Sequence, residues 1–404
     1  MQAAQVELEL KPDFASLDGV GNVAVAVSGG SDSMAMLLLL IAWARTLQTS
    51  PSITALTVDH GLRVESTAEA TTVAGWCATL GVAHATVPWL GDKPATGIQA
   101  TARAARYELM TAWCTRSGVP VLLTGHTADD QNETVLMRQR RTMSVRSMAG
   151  IWPERGWNGI RILRPLLKLR RQDLCNYLKA EGQSWLEDSS NENLKFERVR
   201  IRQDLAVRMD NPGLLAVPAQ VEVRQANSAA KDFLAAHTSV SSLGLITCDI
   251  AAFKALNPLA ADAVLLSMLE LTGKRAAPER EHRQNMIEWL GSDSLGRRTL
   301  GGAFFVKRKA GLFLAREAGR IDPSPVSIPP EGRMIWDGRF VVEGPSGAQV
   351  EPLGAFGDLP KKDMPQFLRL GLPAAMIDGK LAFVPQLQPN PLFNCELIKD
   401  DARG

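Results

Sequence analysis

Short apolar runs alternate with longer helical patterns through the first half of the chain, and together they predict four strand–helix pairs. The pairs are strand Val23–Val27 with helix Asp32–Thr46, strand Ile53–Val58 with a helix near Ser66–Leu80, strand Ala83–Val87 with helix Ile98–Arg116, and strand Val119–Thr124 with helix Ala128–Arg140. Alternation of this kind predicts an α/β fold with a doubly wound, mainly parallel sheet, which binds ligands at the carboxyl ends of its strands.

The pattern is weaker beyond Arg141, where we expect smaller helical and α+β regions. Met143–Gly159 is rich in Gly, Trp and Pro, and predicts a long functional loop. Helices are predicted at Arg170–Glu181, Leu214–His237, Pro258–Thr272 and Pro278–Leu290, and strands at Arg298–Lys307, Gly311–Ala315 and within Arg333–Val342 and Leu381–Val384. Breaks near Asn211–Gly213 and Pro323–Pro330 predict domains over residues 1–212, 213–320 and 321–404.

The distribution of charge is more informative than its sum. The 404 residues carry a net charge of +2, with 22% charged and 45% hydrophobic residues, as in an ordinary globular protein. From Arg138 to Arg171, however, ten Lys/Arg accompany one acid, and from Arg297 to Lys309 five Lys/Arg accompany none. The two stretches predict a surface for a polyanion larger than a nucleotide.

The cysteines exclude several classes of site. The five cysteines are scattered and form no CxxC pair, which argues against a disulfide framework, a zinc ribbon and an iron–sulfur centre. Residues 1–14 lack a signal-peptide pattern, and the longest apolar run, Met34–Ala44, is too short to span a bilayer. We therefore expect reduced thiols, a cytoplasmic location and no membrane partner.

A Ser/Gly loop, Ser28–Ser33, joins the first predicted strand to the first predicted helix. Gly29 and Gly30 permit positive φ and close backbone approach, and Ser31 and Asp32 fall at the helix start, where N–H groups face the loop mouth. Such a unit binds phosphate through these N–H groups and the helix dipole. It lacks the Gly-Lys-Ser/Thr of a P-loop and the third Gly of a dinucleotide fingerprint. An ordinary tight turn is the alternative.

Polar side chains with possible chemistry follow the second strand and line the third helix. Asp59 and His60 end the second strand, where they can contact an adenosine or simply form a turn with Gly61. Arg103 and Arg106 share a face of the third helix. They can clamp a phosphate or carboxylate, or remain solvated.

Acidic residues begin the helix after the fourth strand. Asp129, Asp130 and Glu133 fall in or next to its first turn, just after His126. Acids in this position favour the helix dipole, which is the simpler explanation. Carboxylates that share a face can also bind Mg²⁺ or grip an amine. The second interpretation is favoured because the phosphate-type loop is predicted at the same edge of the sheet.

The order of five segments resembles that of the tRNA(Ile)-lysidine synthases, within the ATP pyrophosphatase superfamily. The segments are Ser28–Ser33, Asp59–Arg63, Ile98–Glu108, Gly125–Thr134 and Asp188–Arg202. The resemblance covers roughly residues 20–205. It implies that the wobble cytidine of an isoleucine tRNA with a CAU anticodon is adenylated by ATP at its C2 carbonyl oxygen. The amine of free L-lysine then attacks C2, and AMP leaves.

The resemblance also implies roles for individual residues. ATP would be bound by Ser28, Gly29, Gly30, Ser31, Asp32, Ser33, Asp59 and His60, with Mg²⁺ at Asp32. Lysine would be bound by Arg106, Asp130 and Glu133, and catalysis would use Asp32, Asp130 and Glu133. The first basic stretch supplies Arg138, Arg141 and Arg146 as candidates for tRNA binding. Arg198 and Arg202, four positions apart on the basic helix predicted within Asp188–Arg202, are further candidates, with a solvated charged helix as the alternative. A homodimer is among the oligomeric states that the sequence permits.

Two positions differ from the family pattern, and two other functions remain open at this point. Thr127 stands where the family commonly has His or Asn, and Thr142 where it has Gly. A tRNA 2-thiolation enzyme would use the same adenylation, but it needs catalytic cysteines, and Cys77 and Cys114 are predicted on helices away from the loop edge. The second alternative is a nucleotide-sensing, RNA-binding module without catalysis.

Overall fold

The structure is a computed structural model, and it describes residues 10–61, 66–90, 98–187, 197–208, 211–273, 277–355, 364–385 and 387–398. The chain divides into two compact units, Met1–Glu222 and Val223–Gly404. In the described ranges, no helix has both the length and the apolar character that crossing a bilayer requires.

The first unit is built on a six-stranded sheet. Its strands are β1 (Asn22–Ala26), β2 (Ser52–Asp59), β3 (Ala83–Pro88), β4 (Val121–Leu123), β5 (Glu154–Trp157) and β6 (Ile160–Leu163). The strand order is β3-β2-β1-β4-β6-β5. Every pairing is parallel except that of β5 with β6. The prediction of a mainly parallel α/β sheet is confirmed.

Helices cover both faces of this sheet. They are α1 (Ser31–Arg45), α2 (Ser66–Thr79), α3 (Ile98–Arg116), α4 (Ala128–Arg141), the short α5 (Val145–Met148), α6 (Arg171–Ala180) and α7 (Glu197–Arg208). Val23 and Val25 of β1 pack in one core with residues of α1, α2 and α6, whereas Ala24 packs in the other core with residues of α3. Side chains that alternate along β1 therefore serve two apolar layers. The bounds of all four predicted strand–helix pairs agree with the structure within two residues.

The sheet order sets the place of the ligand crevice. β2 and β3 lie on one side of β1, and β4 lies on the other. Such a reversal is a topological switch point, where the loops after the two central strands turn to opposite faces and leave a crevice. The loops after β1 and β4 are the Ser/Gly loop and the segment that begins at Gly125.

The prediction that Met143–Gly159 is one long loop was wrong. The segment holds α5, and β5 extends the sheet through a hairpin with β6. Asn158 and Gly159 connect the two strands at φ 48° and 77°, the positive values that a tight two-residue hairpin turn requires. The abundance of Gly, Trp and Pro obscured this short element.

The second unit carries further sheets and helices. Its helices are α8 (Ala216–His237), which begins in the first unit, α9 (Ile250–Lys254), α10 (Pro258–Leu271), α11 (Arg280–Gly291) and α12 (Gln366–Arg369). An antiparallel sheet contains β7 (Thr238–Val240), β8 (Ile246–Cys248), β9 (Gly296–Leu300), β10 (Ala303–Arg308) and β11 (Gly311–Arg316). Beyond it lie β12 (Val326–Ser327), β13 (Arg333–Trp336), β14 (Phe340–Glu343), β15 (Gln349–Pro352), β16 (Pro373–Ile377), β17 (Lys380–Phe383) and β18 (Asn394–Leu397).

Two expectations about the second unit are corrected by the structure. The single strand predicted at Arg298–Lys307 is a hairpin of β9 and β10, because Gly301 and Gly302 take φ of 61° and 79° between them. Lys307 does not belong to a polyanion surface. It is buried, and its ammonium donates hydrogen bonds to the carbonyl oxygens of Trp289, Leu290 and Ser292 at the end of α11.

Candidate active site

The loop after β1 leaves the start of α1 open to a ligand. Gly30 is the N-cap of α1, and no side chain caps that helix. The loop is held from within: the backbone N–H of Ser28 donates to Ser33 Oγ at 3.2 Å, and Ser33 Oγ donates to the carbonyl oxygen of Gly30 at 2.9 Å. A rigid loop with an uncapped helix N-terminus is a binding site for phosphate.

Gly29 cannot carry a side chain in this loop. Its φ is +86°, and a Cβ would stand 2.6 Å from Leu186 Cδ1 and 2.9 Å from Val73 Cγ2. Leu186 N–H also donates to the carbonyl oxygen of Gly29 at 2.9 Å. The sequence predicted a glycine for backbone conformation, and it missed Leu186, a distant residue that closes the loop.

Gly125 brings the second loop against the first. A Cβ at this position would lie 2.8 Å from the backbone oxygen of Asp32 and 3.2 Å from the Cα of Ser33. The main chain after β4 therefore packs directly on the first turn of α1. The structure places the phosphate-type loop and the acidic segment side by side.

The first turn of α4 is a capping box. Thr127 is its N-cap, and its N–H and hydroxyl donate to Asp130 Oδ2 at 3.0 and 3.1 Å. Although burial opposes it, the neighbouring His126, the Thr127 N–H and nearby arginines lower the pKa of Asp130 below its ordinary value. One oxygen of Asp130 therefore serves the start of the helix. Thr127, a departure from the family pattern, supplies the cap itself.

Glu133 lies between two arginines of α7. Its side chain is 1% exposed; Oε1 is 2.8 Å from Arg202 Nε, and Oε2 is 3.2 Å from Arg198 Nε. Arg198 Nη2 also lies 3.9 Å from Asp130 Oδ1. The structure therefore brings together two groups of residues that are separate in sequence. The carboxylates predicted to bind lysine lie next to two of the arginines predicted to bind tRNA.

Arg171 is a second site residue that sequence reasoning missed. Its Nη2 is 2.7 Å from Asp32 Oδ2 and 3.8 Å from Asp130 Oδ1, and its backbone N–H donates to Asp129 Oδ2 at 2.7 Å. Burial raises the pKa of Asp32, against the effect of the Arg171 guanidinium. A signal was present: an arginine in the first turn of a helix opposes the dipole, so a carboxylate partner was to be expected.

The residues after β2 form their own group. Asp59 accepts hydrogen bonds from the N–H of Gly61 and the hydroxyl of Thr67, both at 2.9 Å, and the Gly61 bond lowers the pKa of Asp59. Arg106 Nη2 lies 3.0 Å from His60 Nε2. Arg106, which is predicted to bind free lysine, thus adjoins His60, which is predicted to bind ATP. Residues 62–63 and 188–196 and the side chain of Arg103, which also entered the predictions, lie outside the described residues.

The predicted tRNA arginines of α4 differ in their surroundings. Arg138 donates to the carbonyl oxygen of Gly150 at 2.8 Å, and burial lowers its pKa. Arg141 is exposed and pairs with Glu197 at 2.6 Å. Arg146 lies on α5 and is half-buried. Arg138 therefore serves the fold, whereas Arg141 lies at the surface.

The described residues contain no group of three or more His, Cys, Asp or Glu that could hold a metal by itself. Mg²⁺, however, commonly binds one or two carboxylates together with substrate phosphates. Asp32 offers one such carboxylate, 18% exposed, beside the phosphate-type loop. Its donor chemistry fits Mg²⁺ carried by a nucleotide.

Comparison with known proteins agrees with this geometry. Residues 3–209 match the family model described as a PP-loop domain. The chain is 38% identical over 370 residues to a tRNA(Ile)-lysidine synthase of Mesorhizobium japonicum, an alignment that covers 86% of this chain and 80% of that protein. It is 36% identical over 389 residues to the tRNA(Ile)-lysidine synthase of Rhizobium meliloti, covering 90% of this chain and 82% of the relative.

A solved U34-tRNA thiolase of Methanococcus maripaludis aligns with 16% identity and a TM-score of 0.44, over 54% of this chain and 77% of that one. The matched domain makes this a PP-loop protein that binds ATP. The chain belongs to the tRNA(Ile)-lysidine synthase family.

Proposed function

We propose that this enzyme ligates free L-lysine to C2 of the wobble cytidine in isoleucine tRNA with a CAU anticodon. The observation that carries the proposal is the contact at the switch point, where Gly125 packs the acidic start of α4 against the phosphate-type loop. A nucleotide and an amine bound to these two segments would be neighbours, as a two-step ligation requires.

In the first step, the O2 oxygen of cytidine attacks the α-phosphorus of ATP, and pyrophosphate leaves. Ser28–Ser33 would hold the phosphates through the start of α1, with Asp59 and His60 nearer the adenosine. Asp32 would hold Mg²⁺ with the phosphate oxygens. When bound, the ion would neutralise charge on the leaving pyrophosphate.

In the second step, the amine of lysine attacks C2, AMP leaves, and the amine loses a proton. Asp130 and Glu133 are the proposed partners of a lysine ammonium, and Arg106 is the proposed partner of its carboxylate. Glu133 is held by Arg198 and Arg202. A lysine ammonium would therefore compete with these guanidiniums for the carboxylate of Glu133.

The tRNA backbone would be bound by Arg141 and Arg146, with Arg198 and Arg202 as further candidates, whereas Arg138 donates a hydrogen bond to Gly150 within the fold. Arg198 and Arg202 are each more than a third exposed while they contact Glu133. An RNA phosphate would compete with Glu133 for the same guanidiniums. We also propose that the enzyme acts in the cytoplasm and that a homodimer is one of its states.

The thiolation alternative is disfavoured by the cysteines. Cys77 and Cys114 are fully buried in two different cores, and burial raises the pKa of each thiol to about 11. Thiolates are the reactive form, and buried thiols are inert. Neither cysteine is available to carry sulfur.

The decisive experiment measures pyrophosphate release by the purified protein with ATP, Mg²⁺, CAU-anticodon isoleucine tRNA and lysine, omitting each in turn. We expect release to require tRNA but not lysine, and lysine incorporation into tRNA to require all four. A non-catalytic sensor would release no pyrophosphate, and this outcome would overturn the proposal.

A further inference from the structure

Three helix N-termini of the first unit converge on one side chain. Arg171 is the first residue of α6, Asp32 lies in the first turn of α1, and Asp130 lies in the first turn of α4. The Arg171 guanidinium reaches both carboxylates, at 2.7 Å from Asp32 and 3.8 Å from Asp130. The contact between Arg171 and Asp32 spans 139 positions of sequence.

The fork geometry of the guanidinium matters to this contact. Arg171 Nε lies 3.1 and 2.9 Å from the two oxygens of Asp32, while Nη2 faces both Asp32 and Asp130. Two donors in a fixed plane set the orientation of a carboxylate as well as its charge. An ammonium at the same place would supply charge without that orientation.

The backbone at Arg171 is fixed as well. Its N–H donates to Asp129 Oδ2 at 2.7 Å, so α4 caps the start of α6. Leu174, Tyr177 and Leu178 anchor α6 in the core. The guanidinium is thus carried by an element that cannot easily shift with respect to α1 and α4.

We propose that Arg171 is a positioning residue, which holds the carboxylates of Asp32 and Asp130 at one fixed spacing for both steps of the reaction. The proposal rests on the proposed function, since Asp32 serves the ATP step and Asp130 the lysine step. Arg171 acts through these two groups. Reactants misplaced by about 1 Å react on the order of 100-fold more slowly, so the removal of such a fixture affects rates more than affinities.

The test uses Arg171→Lys, which keeps the charge, and Arg171→Met, which keeps an apolar stem. Arg116→Lys and Arg116→Met are the matched controls, because Arg116 is an exposed arginine at the end of α3, outside the two basic stretches. Single-turnover experiments on the full-length enzyme measure the adenylation rate constant, the lysine-transfer rate constant and the amplitude of each phase. The amplitude reports the fraction of competent enzyme, and the rate constant reports the chemistry within it.

We expect Arg171→Lys to keep at least about half of the amplitude while both rate constants fall about ten-fold or more, and Arg171→Met to fall further. The two Arg116 variants should match the wild type. If the Arg171 variants lose amplitude with unchanged rate constants, Arg171 is merely structural and the proposal is wrong. If one rate constant falls alone, Arg171 does not link the two steps. Wild-type enzyme that forms no adenylate overturns the proposed function as well.

Discussion

Asp32 occupies the point where the phosphate-type loop becomes a helix, and its carboxylate already carries a cation, the Arg171 guanidinium. The apolar core does not require a partly buried ion pair of this kind for its packing. The proposed role of Asp32 is to face the nucleotide. The same logic applies to Glu133, which is more buried and has two arginine partners.

We predict that Asp32→Ala abolishes adenylation while the protein stays folded. The substitution removes the proposed Mg²⁺ carboxylate, but α1 keeps its buried apolar side chains. Lysine-independent pyrophosphate release and the circular dichroism spectrum check this. Asp13→Ala, which breaks an exposed ion pair with Lys168, is the control. ATP turnover near the wild-type rate in folded Asp32→Ala enzyme would remove Asp32 from the site.

Glu133→Gln should raise the KM for lysine about ten-fold or more, because it keeps the shape and removes a charge-assisted contact worth roughly 1.5–3 kcal/mol. It should also cost about 1–3 kcal/mol of stability, since two guanidiniums would no longer share a carboxylate. Assays should therefore be run well below the melting temperature of the variant.

Adenylation without lysine should survive in Glu133→Gln, because the phosphate-type loop is untouched. Glu108→Gln, on the exposed face of α3, controls for the change in charge. An unchanged lysine KM would leave Glu133 with a purely structural role, as the partner that docks α7.

At the scale of elements, ion pairs join α7 to α4, in addition to the buried apolar side chains of α7. Arg198 and Arg202 contact Glu133, while Arg140 and Arg141 of α4 pair with Asp204 and Glu197. Each helix thus supplies both acidic and basic members of these ion pairs. Ion pairs with exposed members are individually weak and are screened by salt. If these arginines bind RNA as proposed, phosphates would compete with the ion pairs that join α7 to α4.

We predict that Arg141→Gln with Arg146→Gln weakens tRNA binding and flattens its salt dependence. For each RNA phosphate that is no longer neutralised, the slope of log affinity against log salt should decrease by roughly 0.7–0.9. Arg138→Gln is the contrasting variant, since Arg138 hydrogen-bonds Gly150 within the fold. It should lower stability with little effect on the slope. An unchanged slope in the double variant would mean that this stretch does not bind RNA.

The first unit could be predicted well because its strands and helices each carry a clear apolar pattern. The elements that were missed are short or interrupted by glycine, such as β5, β12 with two residues, and the break in β9–β10. A local pattern cannot identify so few residues, because their pairing depends on distant partners.

The sequence predicted the individual segments of the site, but not the ion pairs that join their side chains. The loop Ser28–Ser33 and the acidic start of α4 follow from sequence, since parallel strands place their carboxyl ends on one edge. The pairing of Asp32 with Arg171, 139 positions apart, does not. Neither does the pairing of Glu133 with Arg202, because a charged residue on a helix looks the same in sequence whether it is solvated or paired.

At the scale of the whole molecule, the two units have separate cores. The large clusters of the first unit lie around α1 and α3, and those of the second unit contain Phe305 and Phe340. The domain bounds predicted from sequence, 1–212, 213–320 and 321–404, stay predictions. These bounds divide the chain at two positions, whereas the two compact units meet at a single position, within α8.

We predict that thermal unfolding shows more than one transition and that ATP raises only the transition of the first unit. A ligand that binds only the native form, at a free concentration of about 100 times its Kd, stabilises that form by about 2.7 kcal/mol. Differential scanning calorimetry with and without Mg-ATP measures the shift. Asp32→Ala should remove the effect of the nucleotide. An equal shift of every transition would show that nucleotide binding is not confined to the PP-loop domain.

The missing side chain at Gly125 has a last consequence. The carbonyl of Asp32 lies within 2.8 Å of the place where a Cβ at this position would stand, so two main chains meet there without an intervening side chain. The closest approach of the two segments that carry the proposed nucleotide and amine sites is therefore set by the backbone. Side-chain substitutions at positions such as Arg171 can alter how the proposed substrates are oriented, while this contact between the two main chains does not depend on those side chains.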